Sequence, residues 1–123
     1  DRAAMSAGAV LAAILGGLAF GLGLVPSDPT ARIEVTRGPS YEAAAVVEGE
    51  VGTSGTYTLV VDREGRSGRS RSQQGGAFSL SSPIETLSIS RVGVSHGDVL
   101  RMELVVEWAD GSTDTDTFSE TVE

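Results

Sequence analysis

Residues 99–108 alternate almost without interruption between apolar and polar side chains, and this pattern restricts the fold more than any other. In a β-strand successive side chains point to opposite sides, so the alternation predicts a strand with one buried face. The buried face is expected to carry Leu100, Met102, Leu104, Val106 and Trp108, and the opposite face Arg101, Glu103, Val105 and Glu107. Trp108, the only tryptophan, is the best single core candidate.

Shorter patterns of the same kind occur throughout the sequence after residue 30. Further strands are predicted at 32–36, with Ile33 and Val35 inward, and at 43–51, 56–63, 67–74, 77–80, 84–90 and 113–118. About seven short strands at roughly ten-residue spacing, with no helical pattern between them, are typical of an immunoglobulin-like β-sandwich. The sequence therefore predicts an all-β domain over residues 31–123, a thin seven-stranded immunoglobulin-like β-sandwich.

An apolar segment precedes this domain. Residues 3–25 are all small or apolar, and residues 26–30 read as a linker that contains two prolines. Residues 1–25 therefore predict an N-terminal hydrophobic helix, either a cleaved signal peptide or a retained membrane anchor. Gly17 and Gly21 have the spacing of a helix-pairing motif, which suits an anchor. Both alternatives predict that the rest of the chain is exported, and the second adds tethering to a membrane.

The composition argues against most catalytic and metal-binding chemistry. The chain of 123 residues has no cysteine and one histidine, which excludes disulfides and thiolate metal sites and disfavours a zinc site or a Ser-His-Asp triad. His96 lies in a Ser-His-Gly-Asp sequence typical of an exposed turn. A formal net charge of −8 disfavours nucleic-acid binding. We therefore expect no enzymatic activity, cofactor, metal site or nucleic-acid partner.

An arginine-rich polar segment follows the strand predicted at 56–63. The chain is expected to turn at Glu64-Gly65 and then to run as a strand of arginine, serine and glutamine that ends at Gly75-Gly76. Because such a strand has no aliphatic side chain to bury, it is either a solvated edge that its charge protects from aggregation or a surface that binds a partner. The candidate partner-binding residues in this part of the chain are Arg63, Arg66, Arg69, Arg71, Gln73 and Gln74.

Acidic residues concentrate at the other end, where seven acids and no base follow residue 102. Asp110-Gly111 predicts a two-residue hairpin turn, in which Glu107 faces Asp114 and Val105 faces Asp116. This register would put Glu107, Asp114 and Asp116 together on the solvent face, as a further candidate site for a partner. Either Arg69, Arg71 or Arg101 lies beside this cluster and neutralises it, or the acids stay open to a cationic partner. Exposed carboxylates on a flat sheet lack the burial that tunes groups for acid–base catalysis.

The segment from Gly55 to Phe78 also carries a family resemblance. It contains the pattern Gly-x-Tyr-x-Leu-x-Val and then Arg-Ser-Gly-x-Ser-x-Ser-x-Gln-Gly-Gly-x-Phe. These motifs resemble those of the curli assembly chaperones of the CsgH type, which are relatives of CsgC. The resemblance extends over residues 31–118.

The resemblance implies a thin, seven-stranded, immunoglobulin-like periplasmic protein that keeps the amyloid subunits of curli fibres soluble until they are secreted. It also implies that contact with the unfolded subunit is transient and electrostatic, through the matching positions Arg66, Arg69, Arg71, Gln73 and Gln74, with Phe78 anchoring the strand. The chain lacks the pair of cysteines that relatives often carry, which removes any redox role.

A pilin-like filament subunit is the alternative hypothesis. In that case residues 3–25 would persist in the mature protein as a helix in the filament core, with the β-sandwich facing outward, and the purified protein would form filaments. The chaperone hypothesis instead predicts a monomer that either lacks the apolar segment or is tethered by it.

Overall fold

The protein folds from residue 30 onward into strands only. The structure, a computed structural model, describes residues 28–123. Its strands are β1 (Thr30–Thr36), β2 (Ser40–Glu48), β3 (Ser54–Gly65), β4 (Gly68–Ser79), β5 (Ile84–Gly93), β6 (Val99–Trp108) and β7 (Thr113–Thr121). They form two antiparallel sheets, one with the order β1-β2-β5 and one with the order β4-β3-β6-β7. The all-β prediction is confirmed, and its finer assignment as immunoglobulin-like stays a prediction.

The hydrophobic helix predicted for residues 1–25 lies outside the described residues, as do the first two residues of the linker predicted at 26–30. Within residues 28–123 there is no helix of the length and hydropathy that a membrane crossing requires.

The two sheets pack against each other around one apolar core. The inner face of β6 supplies Leu100, Met102, Leu104, Val106 and Trp108, each at most 4% exposed. The other sheet supplies Ala43, Ala45 and Val47 of β2, all fully buried. The Trp108 ring packs edge-to-face against Phe78, with 5.7 Å between ring centroids. The alternation over residues 99–108 therefore predicted both the bounds of β6 and its buried face.

The strands predicted at 67–74 and 77–80 are one continuous strand, β4. Gly75 and Gly76 do not end it, because they remain paired with Thr58 and Tyr57 of β3. A β-carbon at Gly75 would lie 2.6 Å from the carbonyl oxygen of Tyr57. Glycine at this position therefore permits close approach of two strands, a role that glycine takes in strand interiors as well as in turns.

The β3–β4 turn lies two residues later than predicted. Gly65 pairs with Gly68, so the loop consists of Arg66 and Ser67 rather than Glu64 and Gly65. Gly68 has a φ of 117°, a backbone conformation that favours glycine. The longer hairpin extends β3 to the arginine-rich segment and places Arg66 at its tip.

The β6–β7 hairpin has a three-residue loop, residues 109–111, instead of the predicted two-residue turn. The backbone amide of Trp108 donates to the carbonyl of Ser112 (2.8 Å), and the amide of Gly111 donates to the carbonyl of Trp108 (2.9 Å). Gly111 has a φ of 91°, the positive value that three-residue hairpin loops assign to glycine. The additional loop residue shifts the register of the two strands by one position.

This shift reverses the faces predicted for the acids of β7. Asp114 pairs with Val106 and Asp116 with Leu104, so both carboxylates lie on the inner side of the sheet. Glu107 pairs with Thr113 on the outer side. The predicted solvent-face cluster of Glu107, Asp114 and Asp116 is therefore wrong, since a one-residue slip moves every side chain of a strand to the opposite face.

Candidate functional site

The arginine-rich strand β4 is the terminal strand of the four-stranded sheet. Residues 68–76 consist only of glycine, arginine, serine and glutamine, and all except the half-buried Gln74 are exposed. Arg69, Arg71 and Gln73 pair with Glu64, Asp62 and Val60 of β3 on the outer face. The other main-chain edge of β4 has no neighbouring strand among the described residues. The expectation that this strand buries almost nothing is confirmed, and the choice between a protected edge and a partner-binding surface stays open.

Two arginines of this hairpin have no ion-pair partner within residues 28–123. These are Arg66 at the hairpin tip and Arg69 on β4, both exposed. Arg71 forms an ion pair with Asp62 (2.8 Å) but its side chain is still 60% exposed. We call Arg66, Arg69 and Arg71 the arginine edge. All three side chains are exposed to solvent, and those of Arg66 and Arg69 are free of ion pairs within residues 28–123.

Arg63, also a candidate partner-binding residue, has a different environment. Its side chain is 19% exposed and donates to Asp98 Oδ2 (3.3 Å), which is itself 3% exposed. The same guanidinium donates to the hydroxyls of Ser67 and Ser70, both at 3.3 Å. Asp98 in turn accepts from the backbone amide of Ser95 (2.8 Å). Arg63 therefore holds the hairpin against the β5–β6 loop and supports the arginine edge from within.

The predicted acidic residues occupy three separate environments. Asp114 accepts a hydrogen bond from the indole nitrogen of Trp108 (2.8 Å), and Asp116 accepts one from the backbone amide of Ile33 (2.8 Å). Glu107 is exposed on the outer face. The arginines expected to neutralise these acids pair elsewhere: Arg71 with Asp62, and Arg101 with Glu64 at 3.7 Å.

A further polar cluster, centred on Glu120 of β7, was not predicted from the sequence. Glu120 accepts from both the guanidinium of Arg37 (2.6 Å) and the hydroxyl of Tyr41 (2.7 Å). Arg37 and then Tyr41 stabilise the carboxylate and lower the pKa of Glu120 to about 2. The same contact raises the pKa of Tyr41. The sequence held one indication that these acids face inward. Asp114, Asp116, Phe118 and Glu120 alternate with polar residues and share one face of β7, and Phe118 packs against the core.

An open cleft of about 520 Å³ lies beside the β6–β7 loop. Its lining includes three acidic residues, Asp28, Glu50 and Asp110, together with Trp108. Asp110 is engaged by the hydroxyl (2.6 Å) and backbone amide (2.8 Å) of Ser112, and these bonds lower its pKa. A general acid needs a pKa raised toward neutrality, so this cleft is a weaker candidate than the arginine edge. His96 is exposed in a turn, as predicted.

These features define a class: small antiparallel β-proteins in which two sheets enclose one apolar core and most charged side chains lie at the surface. The sequence model of the CsgH family, described as "CsgH protein", matches residues 30–117, and the chain belongs to that family. The resemblance seen in residues 55–78 is thus confirmed. A search of curated proteins returned no match.

Two solved structures share the fold. The solution structure of R. palustris CsgH matches with a TM-score of 0.60 and 22% identity, covering 74% of this chain and 91% of that one. The E. coli curli protein CsgC matches with a TM-score of 0.60 and 17% identity, covering 74% of this chain and 98% of the other.

Proposed function

We propose that this protein is a periplasmic chaperone that binds curli-type amyloid subunits weakly through surface charge and prevents premature fibre assembly. Membership of the CsgH family and likeness in fold to a curli protein support a curli-related role. The observation that carries the finer proposal is the arginine edge on the terminal strand β4 and its hairpin tip, where Arg66 and Arg69 have no ion-pair partner among the described residues.

An exposed edge strand normally invites pairing with another chain, and amyloid growth uses such pairing repeatedly. The arginine edge changes the outcome of that encounter. A chain that approaches it meets solvated, mutually repelling cations, which attract carboxylates but resist the close stacking of identical strands. A subunit bound at this strand is kept from other subunits, and the bound pair offers no matching edge to which the next subunit could add.

The distribution of charge favours one approach direction. The arginine edge lies on one side of the molecule, whereas β7 on the opposite side carries Asp114, Asp116 and Glu120. Such separation of charge orients an acidic or polar partner before contact and raises the association rate more than the lifetime of the complex. Weak, fast binding suits a chaperone that must release its client for secretion.

The proposal assigns no bond chemistry, cofactor or metal to the protein, and it treats the protein as an exported monomer. Its ionisable groups act by attraction and by hydrogen bonding. This distinguishes it from the filament-subunit hypothesis, in which the purified protein would polymerise.

A thioflavin time course of a curli-type subunit, with the full chain added well below equimolar ratio, tests the proposal. The wild-type chain is expected to prolong the lag phase, and the triple variant Arg66→Ala, Arg69→Ala, Arg71→Ala is expected to lose most of that effect. Because the interaction is between solvated charges, added salt should weaken the wild-type effect.

The matched control lowers the net charge equally, but on the other side of the molecule. It carries Thr115→Glu, Ser119→Glu and Thr121→Glu, at exposed positions of β7, and it should delay fibre growth as well as the wild type does. Circular dichroism melts establish that each variant is folded. Absence of any delay by the wild-type chain at equimolar ratio contradicts the proposed function, and equal delay by both triple variants removes the arginine edge as its site.

A further inference from the structure

Strand β5 is a second exposed edge on the same side of the molecule as β4. It is the terminal strand of the three-stranded sheet, and among residues 28–123 it pairs only with β2. Its inner face approaches the other sheet, since the hydroxyls of Ser72 on β4 and Ser90 on β5 are 3.5 Å apart. The hydroxyl of Tyr57 also lies 3.5 Å from the carbonyl of Leu87. Strands β4 and β5, each with one edge that no other strand of the described part of the chain pairs with, therefore lie next to each other.

A β-bulge gives β5 an unusual outer face. Ser88 pairs with Ala45 and Thr86 pairs with Val46, so Leu87 is the additional residue. Ile84 and Ile89 are five positions apart and would face opposite sides of a regular strand. The bulge brings both to the outer face, where they are 55% and 56% exposed.

These two isoleucines stand out among the described residues. The exposed large hydrophobic side chains in residues 28–123 are Val51, Ile84 and Ile89, and Val51 lies in the β2–β3 turn rather than on a strand. Arg91 follows on the same outer face, 68% exposed and paired with Glu42. The unpaired edge of β5 thus combines apolar side chains, a cation and main-chain hydrogen-bonding groups.

On the opposite side, the terminal strands β1 and β7 carry none of the exposed large hydrophobic side chains found in residues 28–123. There the amide of Ile33 on β1 is already bonded to Asp116 of β7 (2.8 Å). The inner face of β7 carries Asp114, Asp116 and Glu120, and inward-pointing charge is a known defence of edge strands. An acidic chain would be repelled from that side.

We propose that β5 is the edge to which the client pairs, as an extended acidic segment that adds a strand to the three-stranded sheet. Main-chain hydrogen bonds would supply affinity, Ile84 and Ile89 an apolar contact, and Arg91 together with the neighbouring arginine edge the attraction for carboxylates. The identity of the client rests on the proposed function. The inference adds that charge brings the client to this side, whereas apolar contact on β5 holds it.

Single lysine substitutions separate the two contributions. Ile89→Lys adds a positive charge on β5, so a purely electrostatic site would bind an acidic client equally well or better. Pairing on β5 predicts the opposite: about a tenfold higher concentration of the variant for the same delay in fibre formation, from loss of one apolar contact. Val51→Lys makes the same chemical change at an exposed apolar residue away from β5, and it should behave as the wild type does.

Amide spectra locate the contact directly. On addition of the curli-type subunit freshly released from denaturant, the ¹⁵N-labelled full chain should show chemical-shift changes along residues 84–93 that Ile89→Lys removes. If the wild type delays fibre growth and Ile89→Lys delays it equally, the inference fails and the proposed function stands. If the wild type causes no delay, both fail. Sedimentation that shows a dimer dissociated by Ile89→Lys would assign β5 to a second copy of the chain and overturn the inference.

Discussion

Asp116 on β7 accepts a hydrogen bond from the backbone amide of Ile33 on β1, so a side chain from one sheet satisfies the edge of the other. The two groups are 2.8 Å apart. Further along β7, Glu120 also joins the two sheets, because it accepts from the side chains of Tyr41 and Arg37. One side of the molecule is thereby closed by acids that point inward, and the unpaired edges of β4 and β5 lie on the other side.

Replacement of Asp116 tests this closure and the register of β7 together. Asp116→Ala should lower the free energy of unfolding by about 1–2 kcal/mol, because the half-buried amide of Ile33 loses its acceptor. Thr115→Ala, at the exposed neighbouring position, should change it by less than about 0.5 kcal/mol. Urea unfolding measures both. Equal values for the two variants would mean that Asp116 lies on the outer face.

Glu120 should make stability depend on acid pH. Its pKa is about 2 in the folded protein against an ordinary 4.5, so the carboxylate stabilises the fold fully above about pH 4.5. That contribution is lost as the pH falls from about 4.5 to about 2. The Tm of the wild type should exceed that of Glu120→Gln at neutral pH, and the two should converge near pH 2.

The control for this pH series is Glu103→Gln, which removes an exposed carboxylate from the outer face of β6. The Tm difference between the wild type and Glu103→Gln should not shrink as the pH falls from neutral to about 2, unlike that for Glu120→Gln. A Tm difference between the wild type and Glu120→Gln that stays constant from neutral pH to about pH 2 would contradict the assigned contact.

Arg63 and Arg66 should differ in their effect on stability although they are close in sequence. Arg63→Ala leaves Asp98, a carboxylate only 2% exposed as a residue, without its cation, and should cost about 1–3 kcal/mol of unfolding free energy. Arg66→Ala removes a solvated side chain and should change it by less than about 0.5 kcal/mol. Chemical denaturation measures the unfolding free energy of both variants. A neutral Arg63→Ala would return that residue to the partner-binding set.

Gly65 should resist substitution because of its contact with Asp98. A β-carbon at Gly65 would lie 2.8 Å from Cγ of Asp98, which is held by Ser95 and Arg63. Gly65→Ala should therefore destabilise the protein by about 1–3 kcal/mol. Gly76→Ala is the matched control on β4, where the nearest atom is 3.9 Å away, and it should be neutral or slightly stabilising. Thermal melts of the two variants that coincide would show that Asp98 moves aside freely.

Alternation of apolar residues was sufficient to predict β6, its buried face and Trp108 as a core residue, because a period of two requires only local geometry. The same reasoning located most of β1, β3 and β5 and recognised β4 as a strand that buries almost nothing. It ended β4 too early at Gly75, because a glycine that allows a close strand approach cannot be told from a glycine in a turn without the partner strand.

The sequence by itself determined an all-β chain with an arginine-rich polar strand and the resemblance to the CsgH family, since these depend on residue type and local spacing. Only the tertiary structure decided which acids face inward. One additional residue in the loop before Ser112 reversed the faces of Asp114 and Asp116, and the partners of Arg63 and Glu120 lie 35 and 79–83 residues away along the chain. The physical reason is that register and long-range pairing are set by which strands lie side by side, and hydrogen bonds between distant segments leave no local pattern.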